Sequence, residues 1–388
     1  MKKQDQSDFG LGGRFDRTLT ESVSPLFKEN SDEYWMEQAL LLSMNSMGIC
    51  HPNPAVGCVI VNEGKLIGSG FTQAFQKEHA ERMAFQSLEI NTSLKNATAY
   101  VTLEPCSHFG SQPPCVDLFL SSGIKRVVIA VQDPDERVNG EGIRKLLAAG
   151  VEVKLHVLEE ECKLFNFPFL LNKKTKKPIW IGKWAQTEKG YLADRHGNSK
   201  WITNAESRAY THWLRQKYDL IVLGAETYLK DHPELTVRDC ARPWNRNPIR
   251  VVFDPKGKLI QTGTPVREDF KVFVCESTLK DFSAIPQSVL SIEGSPDSKE
   301  LIHRFQAAVK SADFGRTVQS VMVEGGPALL RSFLRDESFD ALHIFVGQTE
   351  FKENDERYRI SFEPDRNWRS ASLHSFGHDY LREWVKGF

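Results

Sequence analysis

The sequence lacks the features that would assign a chain of 388 residues to a membrane, secreted or nucleic-acid-binding class. No segment has the roughly 20 consecutive apolar residues of a membrane-spanning helix, and residues 1–30 contain no apolar core of signal-peptide length. The formal net charge of -1 provides no general attraction to nucleic acid or to an anionic membrane. The seven cysteines follow no paired spacing, which disfavours a disulfide framework and favours a cytoplasmic location.

What the chain does contain is typical of a globular protein, with 40% hydrophobic and 26% charged residues. Its length exceeds that of one ordinary domain, so two domains are expected. Residues 1–30 are polar and interrupted by glycines, which predicts a flexible extension. A Lys-rich run ending at Pro178 has no interleaved pattern of aromatic and basic residues around it, so it is interpreted as a solvated linker rather than a nucleic-acid patch. The predicted domains are therefore residues 31–176 and 177–388.

The motif with the clearest chemistry is His79-Ala80-Glu81, followed by Pro105-Cys106 and then Cys115. Histidine-x-glutamate followed by proline-cysteine and a second cysteine is the signature of zinc deaminases. Zinc binds imidazole and thiolate, and a catalytic zinc site keeps three protein ligands and one open position. The pattern therefore predicts His79, Cys106 and Cys115 as ligands and Glu81 as the proton carrier. Two buried cysteines and a surface histidine are the alternative.

The surrounding pattern places these side chains at the ends of helices and strands. A helix over residues 78–90 would carry His79 and Glu81 in its first turn, and a helix over residues 114–122 would begin near Cys115. A helix N-terminus favours a thiolate, so this placement suits a metal-binding cysteine. Strands and helices alternate in both halves of the chain, which predicts an α/β layered fold.

In the second half, Gly325 and Gly326 lie between a predicted strand at residues 320–323 and a predicted helix at residues 328–334. Glycines in such a connection let backbone N–H groups approach an anionic ligand at the helix N-terminus. A plain turn is the alternative, because a Gly-Gly pair alone is a weak signal.

Longer motifs extend over the chain from about residue 31. They are His51-Pro52-Asn53-Pro54-Ala55-Val56-Gly57, Thr102-Leu103-Glu104-Pro105-Cys106-Ser107-His108, Pro113-Pro114-Cys115, Gln132-Asp133-Pro134, Ser199-Lys200-Trp201-Ile202-Thr203, Asp231-His232-Pro233-Glu234-Leu235-Thr236-Val237-Arg238 and Glu324-Gly325-Gly326-Pro327. Together they resemble the bifunctional deaminase/reductase family of riboflavin biosynthesis.

The resemblance implies a cytidine-deaminase-like layered domain followed by a dihydrofolate-reductase-like α/β domain. The first would use Zn²⁺ to hydrolyse the exocyclic amine of a diaminopyrimidinone ribosylamine 5′-phosphate. The second would use NADPH to reduce the ribosyl group to ribityl. We accordingly expect a small-molecule substrate, no nucleic-acid or membrane partner, and assembly into a homo-oligomer.

The resemblance also implies binding residues, carried over by matching position. They are Asn53, His108, Lys183, Ser199, Arg215, Leu235, Arg238 and Glu324 for the substrate, and Ala185, Trp201, Thr227, Asp231, Gly325 and Gly326 for the cofactor. The residue types suit these tasks. Arg215 and Arg238 could bind phosphate as planar forks, Asp231 could hold ribose hydroxyls, and Trp201 offers a stacking face.

Several positions depart from the family pattern where contacts with the substrate phosphate, the ring edge or the cofactor cleft are expected. This chain has Thr72 and Ala74 where the family has a histidine and a basic residue, Ser111 where it has a lysine or arginine, and Phe167 where it has a lysine. It also has Lys189 where the family has the aspartate of a Ser-Leu-Asp-Gly stretch, and Gly347–Glu350 where the family has Pro-Lys-Leu-Leu-Gly. The first alternative is therefore a zinc pyrimidine deaminase of altered substrate range with a weakened reductase domain. The second is a non-catalytic relic, which the joint presence of three ligands and Glu81 disfavours.

Overall fold

The computed structural model describes residues 27–110, 112–199, 202–238, 240 and 247–387. These residues form two compact units, an N-terminal unit of residues 27–176 and a C-terminal unit of residues 177–387. Most of the predicted N-terminal extension, Ser111 and Trp201 lie outside the described residues. Among the described residues, no helix is both long enough and apolar enough to cross a membrane.

The N-terminal unit is a layered α/β structure. Its described strands are β1 (Gly57–Asn62), β2 (Lys65–Phe71), β3 (Ala97–Leu103), β4 (Arg126–Val131) and β5 (Glu152–Leu155). Its described helices are α1 (Asp32–Ser43), α2 (Ala80–Gln86), α3 (Cys115–Ser122), α4 (Glu141–Ala148), α5 (Glu159–Phe165) and α6 (Phe167–Thr175), with a 3₁₀ turn at Met44–Ser46. The sheet order is β2-β1-β3-β4-β5, with β1 antiparallel to both neighbours and the remaining pairs parallel. Strands β3 and β4 are almost entirely buried, as expected of strands covered on both faces.

Local capping determines where the helices near the predicted zinc ligands begin. The predicted helix over residues 78–90 is shorter than expected, because His79 has extended backbone angles and serves as the N-cap of α2. His79 therefore precedes the first turn, whereas Glu81 lies within it. Helix α3 begins at Cys115, in agreement with the prediction.

The interpretation of the Lys-rich run as a linker is wrong for its first half, residues 173–175. Helix α6 extends to Thr175, and Lys173 forms an ion pair of 3.0 Å with Asp135. Phe167, Pro168, Phe169 and Leu170 bury one end of this helix, so the lysines fall in its last turn, where positive charge favours the helix dipole. Lys176 then ends the helix in a left-handed conformation, and the connection shortens to the residues before Ile179.

The C-terminal unit contains one large mixed sheet. Its described strands are β6 (Ile179–Thr187), β7 (Leu220–Gly224), β8 (Ile249–Phe253), β9 (Phe270–Cys275), β10 (Val289–Ile292), β11 (Ser320–Val323), β12 (Ala341–Gly347), β13 (Trp368–Phe376) and β14 (Asp379–Lys386). Its described helices are α7 (Ala205–Lys217), α8 (Ala225–Asp231), α9 (Lys258–Gln261), α10 (Glu276–Leu279), α11 (Leu301–Ser311) and α12 (Pro327–Arg335), with a 3₁₀ turn at Glu356–Tyr358. The order is β10-β9-β8-β7-β11-β6-β12-β14-β13.

Strand direction within this sheet locates the second candidate site. The strands from β10 to β12 are parallel, and β14 and β13 are added antiparallel at one end. In such open sheets, ligands bind beyond the carboxyl ends of the parallel strands. Lys183 lies within β6, and Glu324 directly follows β11.

Candidate active sites

The three predicted zinc ligands converge at one point of the N-terminal unit. His79 Nδ1 lies 3.5 Å from Cys115 Sγ and 3.7 Å from Cys106 Sγ, and all three ligand atoms lie within 4.8 Å of one another. Zinc bonds of about 2.3 Å to sulfur and about 2.0–2.1 Å to nitrogen, at a tetrahedral angle, place sulfur and nitrogen about 3.6 Å apart. The donor set therefore fits zinc in both chemistry and spacing.

The thiols of Cys106 and Cys115 are hydrogen-bonded to each other, and this bond favours the thiolate form of one of them. The hydrogen bond from the Cys115 thiol lowers the pKa of Cys106 to about 4, with further help from His79 and from the backbone N–H of Cys115 at 3.3 Å. The same shared proton, together with burial, raises the pKa of Cys115. A bound cation would deprotonate both thiols, because thiolates are the metal ligands.

Glu81 lies beside this cluster with its side chain almost fully buried. Burial raises the pKa of its carboxyl to about 7. The charge of His79 opposes this rise, whereas the charge of Cys106 adds to it. A carboxyl that titrates near neutral pH can both accept and donate a proton at that pH.

Glu104 supports the site but is absent from the predicted set. Its buried carboxylate accepts hydrogen bonds from the backbone N–H groups of Gly140 and Gly142, both at 2.9 Å, of Asp133 at 3.2 Å and of Ile143 at 3.3 Å. These bonds tie the strand end before Cys106 to the start of α4. The sequence signal for this role was a glutamate at the end of a buried apolar strand, because a buried carboxylate must find hydrogen-bond donors within the fold.

The loop that carries Asn53 is held from the far end of the same unit. Asn166 accepts from the N–H of Ala55 at 3.0 Å and donates to the carbonyl of Ala55 at 2.8 Å. The N–H of Asn53 donates to the carbonyl of Cys50 at 2.8 Å. The half-buried Asn53 side chain therefore projects from a loop with a defined backbone.

Two of the departing positions have structural roles in place of the expected contacts with substrate. Thr72 is buried and accepts from the N–H of Val56 at 3.2 Å, and Phe167 is buried in the unit. Both side chains therefore face the interior of the N-terminal unit. Their side chains satisfy backbone or core contacts instead.

In the C-terminal unit, Lys183, Arg215 and Glu324 form a buried charge cluster. Two guanidinium nitrogens of Arg215 contact the two carboxylate oxygens of Glu324 at 2.9 and 3.0 Å, and Lys183 Nζ lies 4.0 Å from Glu324. Burial opposes ionisation of Glu324, but Arg215 and Lys183 outweigh it and lower its pKa to about 2. Burial also lowers the pKa of Lys183, in opposition to the attraction of Glu324.

The pairing of Arg215 corrects one expected role. Besides Glu324, its guanidinium donates to the carbonyl of Thr236 at 3.1 Å, so its planar fork is engaged and does not stand open for a phosphate. His212, which the predictions omitted, also contacts the Thr236 carbonyl, at 3.0 Å from Nδ1. Burial and the charge of Arg215 lower the pKa of His212 to about 4, so it is neutral near pH 7.

The other predicted residues of this unit are distributed more widely. Leu235 is buried with a φ of 51°, whereas Arg238 is exposed and donates to Thr236 Oγ1 at 3.0 Å. Thr227 lies beside Gly326, where an added Cβ would come within 3.3 Å of its hydroxyl. Ala185 is half-buried in β6, Gly325 precedes the N-cap of α12, and Ser199 and Asp231 are exposed. Among the described residues, no hydrogen bond or ion pair joins Ser199 or Asp231 to Glu324.

The two departing stretches of this unit contact each other. Lys189 Nζ lies 3.2 Å from Glu350, and Gln348 donates to Glu188 at 3.2 Å. A Cβ at Gly347 would lie 1.8 Å from the carbonyl oxygen of Ile202, so this position requires glycine. The changed residues therefore form a connected surface between β6 and β12.

Comparison with known proteins relates both sites to one family. The profile of the RibD C-terminal domain matches residues 178–381, and that of the cytidine and deoxycytidylate deaminase zinc-binding region matches residues 29–131. The riboflavin biosynthesis protein RibD of Aquifex aeolicus is 37% identical over 324 residues, which is 81% of this chain and 86% of that protein. This chain belongs to the RibD family. RibD of Escherichia coli is 33% identical over 326 residues, with 81% and 87% covered.

A solved structure extends the likeness to the RibD fold. It is that of a diaminohydroxyphosphoribosylaminopyrimidine deaminase/5-amino-6-(5-phosphoribosylamino)uracil reductase from Thermotoga maritima. It is 35% identical, with a TM-score of 0.75, and covers 92% of this chain and 99% of that one. The predicted α/β fold class, a cytidine-deaminase-like domain followed by a reductase domain, is confirmed, as are zinc and NADPH as the cofactors of a RibD protein.

Replacement of Cys106 by Ala should reduce the zinc content from about one ion per chain to a small fraction of that value. Only two of the three converging donor atoms would remain, and zinc needs three protein ligands in such a site. Metal analysis of the purified variant measures this loss. Cys162→Ala is the control, because Cys162 is also a free cysteine of the N-terminal unit but lies in α5. Full zinc content in Cys106→Ala would exclude the assigned ligand set.

Proposed function

We propose that this chain catalyses two successive reactions of riboflavin biosynthesis. Residues 31–176 carry a hydrolytic deamination of a diaminopyrimidinone ribosylamine 5′-phosphate, and residues 177–388 carry the NADPH-dependent reduction of its ribosyl group to ribityl. The convergence of His79, Cys106 and Cys115 beside the buried Glu81 is the observation that carries the proposal. The substrate is assigned from the likeness to the Thermotoga maritima protein, whose name states both reactions.

In the deamination, His79, Cys106 and Cys115 would hold the zinc ion. Zinc bound at such a site supplies a water whose pKa is lowered toward neutrality. Glu81 takes a proton at its carboxylate and returns it to the exocyclic amine. The carbon–nitrogen bond breaks as a carbon–oxygen bond forms, and ammonia leaves. Burial of Glu81 keeps bulk water from competing for this proton.

In the reduction, bound NADPH would supply the hydride. Glu324 and Arg215 form a fixed ion pair at the proposed substrate site, and the ammonium of Lys183 lies beside this pair. Arg238 is exposed at the end of its motif and is the residue we assign to the substrate phosphate. Thr227 and Gly326 meet at the N-terminus of α12, where backbone N–H groups favour the phosphates of the cofactor.

The alternative is a deaminase of altered substrate range with a weakened reductase domain. It is favoured by the inward-facing Thr72 and Phe167, which leave fewer polar groups at the family's substrate positions. It is also favoured by the charged residues Lys189 and Glu350, which replace the family's pattern in the C-terminal unit.

One assay separates these possibilities. The zinc-loaded protein should release ammonia from the diaminopyrimidinone phosphate without NADPH, and should oxidise NADPH only after deamination has occurred. Ammonia release without any NADPH oxidation would favour the alternative. Absence of both would exclude the proposed function.

Replacement of Arg238 by Ala should weaken binding of the phosphorylated substrate about 30-fold or more. Loss of one partner of a charge-assisted pair costs about 2–5 kcal/mol, and the lower end of this range, about 2 kcal/mol, corresponds to a change of about 30-fold in affinity. Binding of NADPH should change little. Paired titrations measure both affinities, with Arg335→Ala as a control because Arg335 is also an exposed arginine with one acidic partner, Asp336. If NADPH binding is lost and substrate binding survives, the two sides of the cleft are assigned in reverse.

Two further predictions concern the protein as a whole. We propose that the chain forms a homo-oligomer, which sedimentation at several concentrations would measure. We also propose a cytoplasmic location, consistent with cysteines that serve as metal ligands instead of disulfides.

A further inference from the structure

The segment of residues 234–237 in the C-terminal unit has an unusual backbone. Leu235 is buried, yet its φ of 51° lies in the left-handed region that residues with a side chain rarely adopt. Such a conformation is strained and persists only where its surroundings enforce it. Among the described residues, no backbone–backbone hydrogen bond is made by the 234–237 segment. Side chains from other elements must therefore hold it in place.

Arg250, in β8, holds the start of this segment. Its Nη1 donates to the carbonyl of Glu234 at 3.2 Å and lies 2.9 Å from a carboxylate oxygen of Asp269. The guanidinium also lies 5.4 Å from the centroid of the Phe270 ring. The side chain is only 11% exposed, so its position is fixed by contacts on several sides.

The other side of Leu235 is held in the same way. The carbonyl of Thr236 accepts from Arg215 at 3.1 Å, and His212 Nδ1 lies 3.0 Å from the same oxygen. The carbonyl groups immediately before and after Leu235 are therefore bound by side chains of β8 and of α7. These contacts explain how the left-handed conformation is maintained.

Stability alone does not account for a guanidinium at position 250. Nε of Arg250 is buried without a hydrogen bond to any described residue. A buried donor in this state lowers the stability, and an apolar side chain of similar size would avoid that cost. Asp269 has a second partner, because Arg267 Nη2 lies 3.2 Å from the same carboxylate oxygen. The contact that distinguishes Arg250 is thus the one with the Glu234 carbonyl.

We infer that Arg250 is a positioning residue of the reductase half, which holds the 234–237 segment where Leu235 and Arg238 can meet the substrate. Arg238 directly follows the segment and donates to Thr236 Oγ1 at 3.0 Å, so a shift of the segment would displace its guanidinium. A displacement of about 1 Å can cost a large factor in an enzyme. This inference rests on the proposed function of the C-terminal unit, and adds a residue that acts through the backbone.

The first test compares Arg250→Met with Arg267→Met in the full-length protein, with the deaminated substrate and NADPH. Arg250→Met should raise the KM for the deaminated substrate about 10-fold or more, whereas kcat and the KM for NADPH should stay within a few-fold. Arg267→Met removes the more exposed partner of Asp269 and should leave all three constants unchanged. Arg250→Lys should restore part of the affinity, because an ammonium can still donate to the Glu234 carbonyl but lacks the planar fork.

The second test does not depend on turnover. Hydrogen exchange, measured by mass spectrometry on a peptide that covers residues 232–238, should be several-fold faster in Arg250→Met than in the wild type or in Arg267→Met. Peptides from β6 and β11 should keep their protection in all three proteins. This comparison separates a local release of the segment from a general loss of stability.

An unchanged KM for the deaminated substrate in Arg250→Met would overturn the inference, as would a raised KM with unchanged exchange of residues 232–238. Loss of protection in β6 and β11 along with the segment would also overturn it, because that result indicates a structural role. If the wild-type protein oxidises no NADPH, the proposed function of the C-terminal unit fails. The exchange measurement then decides by itself whether Arg250 holds the segment, and unchanged exchange would exclude it.

Discussion

Replacement of Glu81 by Gln should lower the rate of deamination by about 10²–10⁴-fold while the protein retains one zinc ion per chain. Gln has the size of Glu but cannot accept a proton from water and return it to the leaving amine. Glu81 does not belong to the group of converging donor atoms, so its loss should leave His79, Cys106 and Cys115 in place. Ammonia release and metal analysis on the same preparation measure both quantities.

The chain offers its own controls for this experiment. Reduction of a previously deaminated substrate should proceed at the wild-type rate in Glu81→Gln, because the reductase residues belong to the other unit. Glu89→Gln, at an exposed position of the same unit, should leave both activities unchanged. Deamination at the wild-type rate in Glu81→Gln would exclude Glu81 as the proton carrier, and loss of zinc would make it a ligand.

Replacement of Arg215 by Met should destabilise the C-terminal unit by about 3–5 kcal/mol, because it leaves the carboxylate of Glu324 buried without its partner. The pair is made by two contacts of 2.9 and 3.0 Å, and both side chains are about one-tenth exposed. Arg215 also holds the Thr236 carbonyl, so the reductase activity should fall with the stability. Denaturant unfolding, followed by a spectroscopic signal from the C-terminal unit, measures the change in its free energy of unfolding.

Two observations would separate this effect from a general loss of charge. Arg335→Met removes the contact of an exposed guanidinium with Asp336 and should cost much less. Deamination should persist in Arg215→Met, since Arg215 lies in the C-terminal unit. A stability loss in Arg215→Met no larger than that of the control would show that the buried pair contributes little.

The pH dependence of the Arg215 variant has a defined direction. The pKa of Glu324 in the folded protein is lowered to about 2. The ion pair therefore stabilises the fold at pH values above the usual carboxyl range, and this stabilisation is lost as the pH falls toward 2. The stability difference between wild type and Arg215→Met should therefore shrink as the pH falls from neutrality toward 2. A difference that stays constant from pH 7 to pH 3 would contradict the role of the ionised carboxylate.

The zinc site was predictable from sequence because its chemistry is expressed in residue types with local placement. His79 and Glu81 lie at a helix start, Cys106 follows a buried strand, and Cys115 begins the next helix. Each of these positions follows from local signals, namely apolar periodicity, a proline and a helix start. The strand–helix order of the first half was predictable for the same reason, although the last two helices of that unit were not.

Only the tertiary structure decided which polar groups satisfy one another. Arg215 and Glu324 are 109 residues apart, and Asn166 and Ala55 are 111 residues apart. Lys145 reaches Ser107 across 38 residues. A sequence shows which side chains can donate or accept, whereas burial and chain topology determine which of them meet.

By itself, the sequence determined the fold class, the family and the set of candidate zinc donors, because these depend on local pattern and on residue identity in a fixed order. The tertiary structure decided that Arg215 is bound by Glu324, that Thr72 faces inward and that the Lys-rich run ends a helix. These outcomes depend on desolvation, since a buried charge or hydroxyl must find its partner within the fold, wherever in the sequence that partner lies.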